Sequence, residues 1–200
     1  MSSIKLTADS GGGTFELKAP SSSANTRVLT LPDSGNLTLG GGKILQVVQT
    51  FKTDAFSSTS TSYTDLTGLS VSITPTSTSN KILIACYLSF GSSGNGYNGL
   101  RLLRGSTSVG HSTALDSEAA SNIQDTAFCA MDESSQGSYK LHTCSYSFLD
   151  SPSTTSATTY KIQCITYTGQ TFRINRPNSI GNAAYTMAGT SSIIAMEVAA

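Results

Sequence analysis

Lys81-Ile-Leu-Ile-Ala-Cys-Tyr-Leu-Ser-Phe90 decides how this chain is read. An extended chain sends successive side chains to opposite faces, so a strand against solvent alternates apolar and polar residues. This stretch is apolar on both faces, as expected of a central strand between two layers. Its neighbour Leu69-Ser-Val-Ser-Ile-Thr74 alternates cleanly, with Leu69, Val71 and Ile73 on one side and hydroxyls on the other. Pro75 to Asn80 is the turn between them.

Working outward, the same two patterns recur. Ile44-Leu-Gln-Val-Val-Gln-Thr-Phe51 opens the series. Asn98 to Arg104, Ile123 to Met131, Tyr139 to Leu149, Ala157 to Thr168 and Thr171 to Asn175 continue it, and Ser192-Ile-Ile-Ala-Met-Glu-Val198 ends it. Turn material separates the runs: Gly91 to Gly96, Asp132 to Gly137 and Ser151 to Ser156. Val109 to Asn122 is polar and reads as a long loop with one helical turn at Ala114 to Ala120. Eight to ten strands with short connections predict an all-β sandwich or barrel. Ile193, Ile194, Met196 and Val198 predict a C-terminus held in the core, because a terminal strand frays unless a sheet holds it.

Composition agrees. Ser and Thr make up roughly 30% of the 200 residues and charged residues only 12%, about half the usual share. Lys+Arg and Asp+Glu are 12 each, so no basic surplus is present to hold a phosphate backbone, and nucleic acid is not expected as a partner. No apolar run approaches the length of a membrane helix, and Met1 to Asp9 lacks the layout of a signal peptide. Membrane insertion and export by that route are not expected.

The first 43 residues differ from the rest. Ile4 to Ala8, Thr14 to Lys18, Arg27 to Leu31 and Asn36 to Leu39 are short strand-like pieces between turn clusters, of which Pro32-Asp-Ser-Gly35 is the strongest. Pieces this short are marginal in water. Their apolar residues Ile4, Leu6, Phe15, Leu17, Val28, Leu29 and Leu31 are therefore expected to meet a partner surface. This divides the chain into an extended, β-rich attachment arm at 1–43 and a head at 44–200, hinged at Gly40-Gly-Gly42.

No catalytic, metal or cofactor chemistry is expected. The cysteines Cys86, Cys129, Cys144 and Cys164 form no C-x-x-C pair and sit in strand-like runs, where a thiol acts as a small buried hydrophobe. A bridge between neighbouring strands, such as Cys144 to Cys164, stays open. His111 and His142 are the only histidines, and neither G-x-S-x-G nor H-E-x-x-H occurs. A glycan hydrolase needs two carboxylates in one cleft, and Asp132 and Glu133, adjacent in a turn, tend to point apart. Surplus two-sided apolar strand, in Lys81 to Phe90 and at the C-terminus, predicts an oligomer.

Ile4-Lys-Leu-Thr-Ala-Asp-Ser-Gly-Gly-Gly-Thr-Phe-Glu-Leu-Lys-Ala-Pro20 and Arg27-Val-Leu-Thr-Leu-Pro-Asp-Ser-Gly-Asn-Leu37 resemble the N-terminal segment of virion proteins of tailed phages, especially marine and cyanobacterial ones. Ile44-Leu-Gln-Val-Val48, Thr67 to Pro75, Lys81-Ile-Leu-Ile84 and the final strand resemble, by pattern, the trimeric jelly-roll heads of phage fibres and the C1q/TNF-like group. The resemblance implies a jelly-roll sandwich and a homotrimer. It also implies a non-enzymatic virion structural protein, made in the host cytoplasm and anchored by its arm to other virion proteins. A capsid decoration protein or head fibre fits a short chain without shaft repeats. The alternative is a tail-fibre or receptor-binding protein whose head takes a host surface glycan through Asn95, Tyr97, Asn98, Tyr167 and Asn178.

Overall fold

The computed structural model describes residues 3–7, 14–18, 43–93, 97–112, 126–128, 139–181, 184 and 186–200. The chain divides into two units, 1–39 and 40–200, each described by itself. In the first, β1 (Ser3–Thr7) and β2 (Thr14–Lys18) form an antiparallel ladder. Its register sets Ile4 opposite Leu17 and Leu6 opposite Phe15, so the four apolar positions fall on one face of the ladder. Val28, Leu29 and Leu31 lie outside the described residues.

The second unit is an all-β sandwich. Its strands are β3 (Ile44–Lys52), β4 (Phe56–Ser58), β5 (Thr64–Ile73), β6 (Lys81–Ser92), β7 (Asn98–Arg104), β8 (Thr107–Val109), β9 (His142–Asp150), β10 (Thr158–Thr166), β11 (Phe172–Ile174) and β12 (Ser191–Val198). Every pairing is antiparallel. One sheet runs β5-β10-β7-β8. In the other, β6 takes β12 and then β11 along one side and β9 along the other, while β3 and β4 border β12 and β11. The pairs β3/β4 and β11/β12 thus each fill one lane, and the second sheet has the lane order β3/β4, β11/β12, β6, β9. Numbering the eight lanes along the chain gives 1-8-3-6 facing 2-7-4-5, the double Greek key of a jelly roll.

The core lies between the two sheets. Ile82, Ile84, Cys86, Leu88 and Phe90 of β6 and Ile193 and Ala195 of β12 face Leu66, Leu69, Val71 and Ile73 of β5, with Leu100, Leu102, Tyr160 and Ile162 from β7 and β10. The alternation read for Leu69 to Ile73 is the observed one. It extends back to Thr64 through a bulge at Thr67-Gly68, where Gly68 has φ +83° and the register against β10 slips. Such a bulge needs a residue that tolerates positive φ.

Three expectations change. The C-terminal strand does lie in a sheet, but its core-facing residues are Ile193, Ala195 and Glu197; Ile194, Met196 and Val198 alternate to the outer face, because the two-residue period of a strand cannot bury neighbours on one side. In β6 the even-numbered residues fill the core, and the outer side carries Leu83, Ala85 and the half-exposed Tyr87. Cys144 lies on β9 and Cys164 on β10, in different sheets, so they are not on neighbouring strands. The sheets are completed by β4 and β8, of three residues each, which the sequence pattern does not show. Of the run 123–131, residues 126–128 are described, with a bridge from Phe128 to Leu100. The helical turn read at 114–120 and Cys129 lie outside the described residues.

Buried polar groups staple the lanes. Asn175, in the left-handed region at φ +63°, donates Nδ2 to the carbonyls of Lys52 and Asp54 and accepts from Ser191 Oγ at 2.6 Å. Asp150 receives Arg104 Nη1 on both oxygens and the hydroxyl of the fully buried Tyr160 at 2.6 Å. Glu197, fully buried, accepts from Thr76 N, Thr76 Oγ1 and Asn80 Nδ2 on one oxygen and from Gln46 Nε2 on the other. Burial alone would raise the pKa of that carboxyl. The hydrogen bonds from Asn80, Gln46 and Thr76 outweigh it and hold the value at about 2.

Candidate functional site

The two outer faces of the sandwich have opposite chemistry. On the β3–β12–β6–β9 sheet, the register aligns outward residues in rows across the lanes: Phe51, Ser192, Tyr87 and Ser145; then Gln49, Ile194, Ala85 and Ser147; then Val47, Met196, Leu83 and Leu149. Leu45 and Val198 extend the patch at one end. Val47 and Phe51 are each 59% exposed, Tyr87 48% and Leu149 47%. A monomer rarely leaves an apolar patch of more than a few hundred Å² in water unless the patch has a partner.

The outer face of β5–β10–β7 is mostly polar. It carries Ser70 and Ser72 of β5, Thr159, Lys161 and Gln163 of β10, and Arg101 of β7. Asp65 joins them into a network: its carboxylate accepts from Lys161 Nζ at 2.8 Å and Gln163 Nε2 at 2.6 Å, and these hydrogen bonds lower its pKa. Gln163 Oε1 in turn accepts from Arg101 Nε and Nη2, and the Arg101 guanidinium lies 3.8 Å over the Tyr63 ring.

The residues read as glycan contacts separate. Tyr97 and Tyr167 meet, with ring centroids 5.8 Å apart in an edge-to-face arrangement, and are 50% and 63% exposed. The Tyr167 amide donates to the Tyr97 carbonyl at 3.0 Å and fixes the pair at the ends of β10 and β7. Asn98 is turned inward and buried, donating Nδ2 to Ser92 Oγ at 2.9 Å. Strand alternation accounts for this: Asn98 shares the inward parity of Leu100 and Leu102. Asn178 is half-buried, with its backbone packed over Gly91 of β6. Asn95 lies outside the described residues. Sequence reasoning missed Tyr63, Arg101 and Gln163; Tyr63 stands immediately before β5, two residues from Asp65, the spacing that sends strand residues to one side.

The nucleophilic and basic groups are dispersed. Burial pushes the Cys86 and Cys164 thiols up to about 12, so neither is a thiolate near neutral pH. His142 packs its ring against Phe90 at 5.7 Å. His111 Nδ1 lies 3.1 Å from the Ser112 carbonyl. Among the described residues, no three His, Cys, Asp or Glu side chains gather as a metal site, and no helix is long and apolar enough to cross a membrane. No family model matches the chain, and no curated protein matches it.

Proposed function

We propose that this chain is a non-enzymatic structural protein of a tailed-phage virion, a β head that assembles with copies of itself and an N-terminal arm that attaches it to the capsid. The observation that carries the reading is the apolar outer face of β3–β12–β6–β9 set against the polar outer face of β5–β10–β7. A sandwich whose outer faces both met water would have polar residues on both. Copies of the same chain are the natural cover, since each brings an identical apolar face and closed symmetric assembly buries all of them. The phage assignment and the trimer rest on the resemblance of the arm and head sequences stated above. Several arms on one assembly make weak individual contacts collectively strong.

Light scattering on the purified chain tests the assembly. A mass of three chains is the expected result. Val47→Asp with Phe51→Asp, at positions already more than half exposed in the single chain, reduces it to a folded monomer. A wild-type monomer at micromolar concentration overturns the assembly reading. Attachment is tested separately by binding to purified virions: Phe15→Ser with Leu17→Ser abolishes it without changing the melting temperature of the head.

A further inference from the structure

The chain leaving β11 crosses the outer side of β6 directly over Gly91. A Cβ at Gly91 would lie 2.7 Å from the Arg176 carbonyl oxygen and 2.8 Å from Pro177 Cα, so only glycine lets the segment pass this close. Gly189 passes over Ser89 in the same way, and that outward residue is only 4% exposed. The apolar rows of this sheet therefore stop at Phe51 and Tyr87. Beyond them Arg173 stands opposite Gly91 in the ladder. Its neighbours Phe172 and Ile174 are buried, so strand alternation turns Arg173 to the outer side. Arg173 and Arg176 thus come together at one end of this sheet, both half-buried.

We propose that Arg173 and Arg176 form a binding site for a doubly charged oxyanion of the phosphate class. The other described arginines have side-chain partners: Arg101 bonds Gln163 over the Tyr63 ring, and Arg104 holds Asp150. Among the described residues these two have none. Arg173 Nη1 reaches the Thr171 carbonyl at 3.3 Å, and Arg176 Nε reaches the Pro177 carbonyl at 3.4 Å. Both bonds are long and leave most of the guanidinium N–H donors unused. Burial and the charge of Arg176 each hold the Arg173 guanidinium below the usual arginine range, so the pair stands in the fold at a cost. No described side-chain carboxylate of the sandwich is left to offset it, because Asp54, Asp65, Asp150 and Glu197 are bonded elsewhere. An anion of two negative charges matches the pair, and a planar guanidinium fork takes two oxygens of one phosphate. Inorganic phosphate and a phosphate monoester on a larger molecule share that chemistry. The site lies beyond the covered Ser89, so this inference stands apart from the assembly reading.

The test is thermal unfolding of the full chain in inorganic phosphate and in glycerol 3-phosphate, each against sodium chloride at equal ionic strength. An anion that binds the fold raises the melting temperature in a saturable way. With half-saturation at about 1 mM, about 20 mM phosphate raises it by about 3 °C or more. Arg173→Gln and Arg176→Gln each move half-saturation upward at least about ten-fold. In chloride they melt no lower than wild type, because each removes a repulsion. Arg173→Lys keeps the charge without the fork and falls between. Lys81→Gln removes an exposed cation at the other end of β6 and keeps the full wild-type response. Light scattering on the same samples keeps assembly and binding apart. A response to inorganic phosphate alone marks a site for the free anion, and a response to the ester marks one open to phosphate carried on a larger molecule; either supports the site. No rise above chloride overturns the proposal, and so does a lower melting temperature of both single glutamine variants in chloride. An equal rise in the double variant, Arg173→Gln with Arg176→Gln, is the general effect of an excluded salt and overturns it as well.

Discussion

Glu197→Gln removes one charge and changes the shape of the side chain very little, and its cost can be worked out from the four bonds the carboxylate accepts. Three arrive on one oxygen, from Thr76 N, Thr76 Oγ1 and Asn80 Nδ2, and a glutamine carbonyl can keep them. The fourth arrives from Gln46 Nε2 at 2.6 Å on the other oxygen. In the variant an NH2 group stands there, so two donors face each other inside the fold. An unmatched buried donor costs about 1–3 kcal/mol, and the charge assistance of the remaining bonds is lost as well. The lowered pKa expresses the same bonds as a free energy. A carboxyl at about 2 in the fold, against its ordinary 4.5, corresponds to about 3 kcal/mol of stability in the ionised state.

The sign follows from the direction of the shift. The folded value lies below the unfolded one, so the contribution is complete above the ordinary carboxylate range and is lost as pH falls through about 2. Urea unfolding of wild type and variant, at one protein concentration, should therefore show a gap of about 2–4 kcal/mol near neutral pH. That gap should narrow between about pH 5 and pH 2 and nearly close below it, where the protonated wild-type carboxyl also presents a hydrogen to Gln46. Asp54 and Asp65, whose pKa values are also lowered, titrate in both proteins and cancel in the difference. A gap that keeps its full size at low pH would refute the electrostatic account, and a gap below about 0.5 kcal/mol at neutral pH would refute the reading of Glu197 as a buried polar staple between lanes.

Two other perturbations read the core directly. Cys86→Ser and Cys164→Ser should each cost about 1–3 kcal/mol, seen as a lower melting temperature, because a hydroxyl replaces a packed thiol; in the native wild type both thiols should resist a disulfide reagent near neutral pH and react on unfolding. Gly110→Ala should destabilise by more than about 1 kcal/mol, since φ is +61° there and the new methyl would strike Tyr146 and Phe148; thermal unfolding of the purified variant measures it.

The sequence showed the strands wherever burial is one-sided or complete. Leu69, Val71 and Ile73 mark one face because the residues between them are hydroxyls in water. The even residues of β6 could not be told from the odd ones, because both sets are apolar, and only the fold shows which set meets the core. Strands β4 and β8 have three residues each. Ser57, Ser58 and Thr107 have no apolar period; β4 is placed by partners distant in sequence, Arg173 and Phe172, and β8 by a two-residue hairpin that folds Thr107 back onto Arg104. Glu197 was hidden for a related reason. Its partners come from two other segments, Gln46 from β3 and Thr76 and Asn80 from the turn before β6, so an acid inside an apolar strand had no visible counterpart. Tyr97 and Tyr167 were legible as exposed aromatics at strand ends. Their meeting depends on the β7–β10 register, as does the exclusion of Asn98 one residue further on.

The distribution of charge helps separate the two faces as sites. Within the sandwich, the described carboxylates are engaged internally: Asp54 with Lys52, Asp65 with Lys161 and Gln163, Asp150 with Arg104 and Tyr160, and Glu197 with neutral donors. None of them stands in the outward rows of the apolar face, so those rows can be covered without desolvating a carboxylate, a step that costs several kcal/mol for an unpaired ion. The opposite face carries the Asp65–Lys161 pair and, over the Tyr63 ring, Arg101 bonded to the neutral Gln163. Covering the two faces would therefore differ in cost: the outward rows of β3–β12–β6–β9 bury no carboxylate, whereas the β5–β10–β7 face would bury the Asp65–Lys161 pair. Substitutions on one outer face should leave the packing of the other unchanged, because among the described residues the core stands between the two sheets.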